Sequence, residues 1–311
     1  MLLIVTSRAD YTADWLILEL RERRAPFVRF NTEDFPEATS LRWSSNGATA
    51  LTLATRELDL ASVNAVWYRR PAVPLLDLSD PAAVWAAGEA REALDGLWKT
   101  LDALWVNHPD RNRLAECKPE QLRRAADLGF TVPASIVTND AEAAADFASE
   151  HPDGVVCKPL RSGRVGNGTT SKLFFTTLLD AAALAALGEI GPEPYLFQAF
   201  VPKRYDVRVT VIGSDAFAAR IESQSDPEAV VDWRRGDPRG LGHEVEELPP
   251  EVGARCVELV ASYGLHFGAI DLAATGEGYV FFENNPNGQW AWLEQAVNLP
   301  LRARLADLLT R

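Results

Sequence analysis

Ala269-Ile270-Asp271-Leu272-Ala273, then Gly276-Glu277-Gly278, then Tyr279-Val280-Phe281-Phe282-Glu283-Asn284-Asn285-Pro286-Asn287-Gly288: this stretch decides how the chain is read. Two apolar runs flanking a glycine turn predict a β-hairpin. With the turn centred on Glu277, Asp271 faces Glu283 across the ladder. Asn285, two residues further on, shares that face. Two carboxylates and an amide oxygen among bulky apolar residues form a hard-oxygen site suited to Mg²⁺. Paired carboxylates with no cation in the stretch repel unless a metal or a proton intervenes. The competing reading is a satisfied polar cluster at a strand end.

Upstream, Asp206-Val207-Arg208-Val209-Thr210-Val211 alternates polar and apolar, so Asp206 and Arg208 share one face of a strand. An edge strand with a solvated polar face fits that pattern as well as a site does. The glycine-rich loop 160–171 follows Val155-Val156-Cys157-Lys158-Pro159. Gly163, Gly166 and Gly168 permit close backbone approach, and its N–H groups and hydroxyls can cradle phosphate. A plain hairpin loop is the alternative. The loop is neither a Walker motif nor, by its place in the chain, a dinucleotide fingerprint. Lys158 lies in an apolar strand, and a buried lysine is costly unless it is paired or faces a ligand. Lys118, just ahead of a helix, reads by itself as a solvated surface residue.

The 311 residues correspond to about two domains at roughly 150 residues each. Apolar residues make up 47% and charged residues 24%, which excludes general disorder. The net charge of −13 argues against a nucleic-acid partner. Cys117, Cys157 and Cys256 are scattered and odd in number, supporting neither a disulfide framework nor a zinc knuckle. That usage suits a reducing cytoplasm. No run approaches the ~20 apolar residues a membrane span needs. The apolar start lacks a basic flank and reads as a buried strand, not a signal peptide.

Residues 1–108 read as an α/β unit: strands at 2–5, 27–30, 65–68 and 105–107, a hairpin around Asn46-Gly47, and a long helix begun by Ser79 or Asp80 and Pro81. The polar stretch 108–113 reads as a turn-rich boundary. Beyond it come a helix over about 119–128 and strands at 134–137, 154–159 and 172–176. Further strands fall at 195–200, 206–212 and 216–222. An Arg- and Asp-rich loop covers 225–243, and a helix about 250–263. The hairpin and one terminal helix from about Trp290 complete the chain. The alternation, followed by strand enrichment, predicts α/β plus α+β.

Lys118 before its helix, Lys158-Pro159, the glycine loop, Gln198 to Arg208, Asp271 and Glu283-Asn284-Asn285 come in the order and spacing of ATP-grasp enzymes. The resemblance covers about residues 108–300. It implies two lobes gripping ATP behind an N-terminal α/β domain: 1–108 a pre-ATP-grasp domain, 109–194 the central lobe, 195–311 the C-terminal lobe. It further implies that Lys118 and Lys158 contact phosphates and adenine. Gln198, Phe200 and Val201 would contact adenine, and Asp206 would hold the ribose. Mg²⁺, as two ions, would lie on Asp271, Glu283 and Asn285. Gln198 departs from the family, where Glu is common, and this softens the adenine assignment. Trp67-Tyr68-Arg69-Arg70-Pro71, Arg220-Ile221-Glu222-Ser223-Gln224, Asp232-Trp233-Arg234 and Asn284 to Trp290 resemble the graspetide (microviridin-type) peptide maturases over nearly the whole chain. That resemblance implies a cytoplasmic ligase, in a family where dimers are common. It would recognise the leader of a ribosomal precursor peptide and join Asp or Glu side chains to Ser, Thr or Lys of the same peptide.

The chemistry suits such a ligase. A carboxylate oxygen is a poor leaving group at neutral pH, and phosphorylation to an acyl phosphate makes displacement possible. Catalysis is then mostly positioning and charge neutralisation. Arg208, Arg220 and Arg234 are the candidate arginines for the developing charge. The alternatives are an ATP-grasp ligase that adds an amino acid to an acceptor, an ATP-grasp kinase, and a non-catalytic ATP- and peptide-binding protein.

Overall fold

Leu2–Thr6 is buried along its whole length, as an interior strand of a parallel sheet is. It pairs in parallel with Phe27–Asn31 and with Ala65–Tyr68, and Leu104–Val106 extends the sheet. Helix Tyr11–Glu22 makes one crossover; Asp10 caps it by accepting from the Thr12 and Ala13 N–H groups. Helix Pro81–Lys99, capped by Asp80, makes another. Leu94, Leu97 and Trp98 cover one face of the sheet over Leu3, Val5, Phe30 and Val66. Leu16 and Leu20 share the other face with Leu301, Leu305 and Leu308 from the far end of the chain. The expected hairpin forms from Ser40–Arg42 and Ala50–Leu53, and Arg56–Asp59 adds a third strand.

This computed structural model describes residues 1–47, 49–53, 56–72, 79–161, 164–165, 172–237 and 240–311. The polar stretch expected as a turn-rich boundary is a helix, Pro109–Ala115. His108 Nδ1 accepts from the Asp110 N–H at 3.2 Å, and Pro109 occupies the first turn, where a missing N–H costs nothing. Composition alone reads that pattern as loop. Helix Lys118–Asp127 follows.

A second sheet runs Thr177–Leu178, Val155–Lys158, Tyr195–Ala199, Ser135–Thr138, antiparallel throughout. Ala144 and Phe147 of helix Ala141–Glu150 pack over Val155 and Phe197. The strand expected over 172–176 is divided. Lys172–Leu173 pairs with Arg164–Val165, and Thr177–Leu178 is the piece that joins this sheet. Tyr195–Ala199 also pairs into this sheet, although it lies just past the lobe division expected at 194.

The third sheet runs His243–Glu246, Asp215–Ile221, Tyr205–Ile212, Phe267–Ala274, Tyr279–Asn285, again antiparallel. Tyr205–Ile212 is therefore central, and Asp206, Arg208 and Thr210 on it are buried. The solvated-edge alternative is excluded. Val207, Val209, Ile270, Leu272 and Phe281 pack beneath Val252, Cys256 and Leu259 of helix Pro250–Ser262. On the opposite face, Ile212, Ala219 and Ala269 pack against Trp290, Leu293 and Leu305. The remainder of that face carries Asp206, Arg208, Asp271 and Glu283.

The terminal helix expected from Trp290 is two, Ala291–Val297 and Leu301–Leu309. Asn298 adopts φ +55° between them, and Pro300 cannot continue the first. Among the described residues no helix is long and apolar enough to cross a membrane.

Candidate active site

Asp271 does pair with Glu283, although the turn is not centred where the sequence suggests. Ala274 pairs with Tyr279, Ala273 with Val280 and Leu272 with Phe281; the next pair is Asp271 with Glu283. Continuing the first register would set Phe282 opposite Asp271. A one-residue bulge at Phe282 restores the carboxylate pair and turns the Phe282 ring toward two ammonium groups. Lys158 Nζ lies 4.8 Å and Lys203 Nζ 5.7 Å from its centroid.

The same row of the sheet continues from Asp271 to Arg208 and Ala219. Arg208 Nε is 3.0 Å from Asp271 Oδ1. Their alignment makes no hydrogen bond, so Arg208 Nε and Nη1 and Asp271 Oδ1 are buried polar atoms without a hydrogen-bond partner among the described residues. Glu283 lies between two cations. Lys118 Nζ donates to its Oε2 at 2.7 Å and Arg234 Nη1 to its Oε1 at 3.1 Å. Burial alone would raise the Glu283 carboxyl, but Lys118 and Arg234 hold it well below the usual range. Asp271 goes the other way. Burial, only partly opposed by Arg208 and assisted by Glu283, pushes it up to about 6. The sequence shows none of these cations beside the hairpin, because each arrives from another element. The carboxylate pair therefore does not by itself demand a metal.

Asp232 ties the two lobes together. Its Oδ1 accepts from Arg234 Nε at 2.8 Å, and its Oδ2 accepts from Arg234 Nη2 at 2.9 Å and from the Thr176 N–H at 3.1 Å. Lys203 Nζ lies 2.8 Å from Asp206 Oδ2 and also donates to Val231 O. Burial raises the Asp206 carboxyl against the pull of Lys203. Lys158 has no ion pair among the described residues. Burial pushes its ammonium down to about 8, with Glu283 partly offsetting the shift. A half-buried cation with no ion pair is costly, and an anionic ligand would relieve that cost. Lys118, Lys158, Lys203, Arg208 and Arg234 thus gather about Glu283, Asp271, Asp206 and Phe282 on an otherwise acidic chain, a charge pattern that attracts polyanions.

Of the residues anticipated from the sequence, Lys118, Lys158, Arg208, Arg234, Asp271 and Glu283 converge. Asn285 lies two residues beyond Glu283, paired with Ala269. It is exposed, and its Oδ1 accepts from the Asn287 N–H at 3.0 Å. Asp206 is on the same face, engaged by Lys203. Gln198 Nε2 donates to Ser135 Oγ at 3.0 Å, and the Phe200 N–H donates to Gly154 O. Phe200 and Val201 are half-buried where the chain leaves that strand. Gly163, Gly166 and Gly168 lie outside the described residues. Arg220 does not join the cluster. It pairs with Val207, not Arg208, so alternation sends it to the opposite face. There it pairs with Glu222 and stacks 3.9 Å from the Tyr205 centroid. Arg220→Ala is expected to leave kcat near the wild-type value, since its guanidinium lies on the face away from the cluster. Steady-state ADP release checks this.

Sequence reasoning singled out neither Lys203 nor Phe282, and it quoted Asp232 and the turn after Asn285 without giving them a role. The signal for the turn was Gly288. A Cβ there would lie 2.3 Å from Ala269 Cβ, which is backbone-anchored and cannot yield. Gly288→Ala is expected to cost about 1–3 kcal/mol, the range for overpacking, read as a lower thermal midpoint.

The donor set fits Mg²⁺. Asp271 Oδ1 lacks a hydrogen-bond partner, Glu283 is kept ionised, and Asn285 offers an amide oxygen. No cluster of three or more His, Cys, Asp or Glu is suited to a metal among the described residues. Mg²⁺ usually takes one or two carboxylates and completes its shell with phosphate and water.

The MvdD pre-ATP-grasp domain family matches residues 1–113. No curated protein matches the chain significantly. The macrocyclase MdnC of Microcystis aeruginosa MRC, solved bound with precursor peptide MdnA, is 29% identical. The alignment covers 99% of both chains with a TM-score of 0.88. A RiPP-associated ATP-grasp ligase of Chryseobacterium gregarium, in complex with ADP and a leader and core peptide, is also 29% identical. It aligns over 99% of this chain and 96% of that one, with a TM-score of 0.88. The ATP-grasp ligase PsnB, complexed with minimal precursor, Mg and ADP, shares the fold at 24% identity. Coverage is 99% of this chain and 97% of that one, with a TM-score of 0.78. The chain is an ATP-grasp ligase with an MvdD-type pre-ATP-grasp domain, similar over its whole length to the macrocyclases of ribosomally made peptides.

Proposed function

We propose that the chain closes rings in a ribosomally made precursor peptide. It would use ATP to activate Asp or Glu side chains and join them to Ser or Thr hydroxyls, or a Lys amine, of the same peptide. The observation that carries this reading is the row Arg208–Asp271–Glu283, flanked by Lys118, Lys158 and Arg234, in a chain that matches peptide macrocyclases end to end.

In the first step a side-chain carboxylate oxygen of the peptide attacks the γ-phosphorus of ATP, and ADP leaves. In the second, the hydroxyl or amine attacks the acyl carbon, the C–O bond to phosphate breaks, and the nucleophile's proton passes to solvent. The protein's share is to neutralise and align. Lys118 and Lys158 would hold phosphate oxygens, and the open donors of Arg208, with the Arg234 Nη1 released from Glu283, would receive the carboxylate or the leaving phosphate. Asp271, Glu283 and Asn285 would hold Mg²⁺, which supplies charge neutralisation of the phosphates. Glu283, held ionised by its two cations, would exchange them for the metal. Phe282, beneath Lys158 and Lys203, offers an aromatic surface to the nucleotide base. Asp206, near the Lys203 end, would take the ribose, and Gln198, Phe200 and Val201 the adenine edge.

The acidic chain with three unpaired cysteines fits a cytoplasmic enzyme. The likeness to peptide macrocyclases supports a leader-bearing peptide as partner. A homodimer is the assembly expected from the resemblance in sequence, and light scattering of the purified chain tests it.

The test of function is intact-mass spectrometry of a short acidic, Ser/Thr-containing peptide encoded beside the gene, co-expressed with the chain. Loss of one water per ring with wild type, and none with an Asp271→Ala, Glu283→Ala double variant, is expected. A mass gain of one amino acid would replace this reading with ligation to an acceptor. An unchanged peptide would refute ring closure.

A further inference from the structure

Arg69 is the largest buried charged side chain outside the cluster just described, at 1% exposure. It stands at the end of strand Ala65–Tyr68 in the first domain, where its N–H donates to Val5 O at 2.8 Å. Its guanidinium leaves that domain and grips the turn after Asn285. Nη1 donates to Gly288 O at 3.0 Å and lies 3.5 Å from Asn287 O, and Nη2 donates to Gln289 Oε1 at 2.6 Å. Asp10, the cap of helix Tyr11–Glu22, faces Nε at 3.1 Å. It also accepts from Thr6 Oγ1 at 2.9 Å, and Thr12 Oγ1 donates to Gln289 Oε1. From its other side the turn is pressed against the site. A Cβ on Gly288 would lie 3.3 Å from Arg208 Nη1 as well as against Ala269, and Ala269 is the partner of Asn285 in the ladder. One turn of backbone therefore separates two arginines, Arg69 outside and Arg208 inside.

We propose that Arg69 is a positioning residue of the active site: reaching in from the first domain, it fixes the turn 286–289 and so sets Asn285 and Arg208 against Asp271 and Glu283. The chemistry explains why an arginine stands there. Irregular backbone carbonyls buried between domains need donors. A planar fork serves two carbonyls and an amide at once, where an ammonium is a point donor. Partners of this kind, one step behind the ligands, orient a metal site without touching the metal. Simple adhesion between the domains is served elsewhere. Arg23, for example, reaches Asp307 Oδ1 at 2.5 Å and Ala303 O at 3.0 Å, far from the site.

The inference rests on the proposed metal ligands, and the experiment separates the two. The full chain is compared as wild type, Arg69→Lys, Gln289→Ala, Arg23→Ala and Asp271→Asn. Mn²⁺ affinity is measured by electron paramagnetic resonance in the presence of ADP, and ADP affinity without metal by calorimetry. Arg69→Lys is expected to weaken Mn²⁺ binding about tenfold, the lower end for such partners, with metal-free ADP affinity unchanged. Gln289→Ala removes one acceptor without stranding a charge. It is expected to shift Mn²⁺ affinity in the same direction by less, and it keeps the test intact if Arg69→Lys fails to fold. Arg23→Ala should leave Mn²⁺ affinity at the wild-type value. The proposal is overturned if Gln289→Ala and any folded Arg69→Lys bind Mn²⁺ like wild type, or if Arg23→Ala weakens binding equally. If Asp271→Asn binds Mn²⁺ like wild type, the metal assignment itself falls.

Discussion

Asp271→Asn is expected to lower turnover by about 10³-fold or more, the scale on which removal of a preorganised charge at a phosphoryl-transfer centre is felt. The substitution keeps shape and one acceptor oxygen but removes the charge that would hold the metal. It also leaves Arg208 buried without its counter-ion, which costs about 3–5 kcal/mol of stability. A domain of ordinary stability holds about 5–15 kcal/mol, so most molecules stay folded and a loss of three decades cannot be unfolding. Circular dichroism and metal-free ADP binding of the variant verify the fold; ADP release in the presence of peptide gives the rate. Turnover within tenfold of wild type, with the fold intact, would remove Asp271 from the chemistry.

Arg208→Ala carries the second largest expected effect, about 10²–10³-fold in kcat, by the same measure for one donor at developing charge. Arg208 has unusual capacity for this role. Its Nε faces Asp271 without a hydrogen bond, its Nη1 has no partner among the described residues, and its Cζ lies 5.4 Å from the Trp233 centroid. A buried guanidinium with unspent donors is costly in the resting protein, and an anion arriving with substrate relieves that cost. Arg208→Lys keeps the charge but not the fork, and is expected to recover only part of the rate. Binding of the unreacted peptide, measured by anisotropy, should change less than kcat does, because the charge develops as the acyl phosphate forms and breaks. An equal loss in peptide affinity and no loss in kcat would make Arg208 a binding residue only.

The hairpin was legible because glycine turns and apolar runs are local signals. Its register was legible in outcome and not in reason. The sequence cannot show that Phe282 bulges, and without the bulge Asp271 would face the wrong residue. Parity explains the error at Arg220. Strands Tyr205–Ile212 and Asp215–Ile221 form a second hairpin whose turn lies between Gly213 and Ser214, which pairs Arg208 with Ala219. A residue one further along belongs to the other face, and counting from the turn would have excluded it. The cations around Glu283 were invisible as neighbours because Lys118, Lys158 and Arg234 come from three separate elements. Pairings at such distances follow from tertiary packing and leave no local periodicity. Arg69 was visible only as part of a resemblance, and its task depends on a contact with Gly288, 219 residues away in the chain. Helix Pro109–Ala115 was hidden for another reason: its composition is that of a turn, and its cap is a histidine.

The central claim is that a peptide carboxylate takes the γ-phosphoryl group. Its direct test is oxygen transfer, with the Asp and Glu side-chain carboxylates of the precursor peptide labelled with ¹⁸O. Attack of the carboxylate on ATP, followed by displacement of phosphate, places one labelled oxygen in each phosphate released with ring closure. Mass spectrometry of the phosphate is therefore expected to show a single ¹⁸O per ring formed, with the partner oxygen retained in the new ester or amide carbonyl. Phosphate free of label, with all ¹⁸O kept in the peptide, would contradict the account, because ATP would then be consumed without activating a carboxylate.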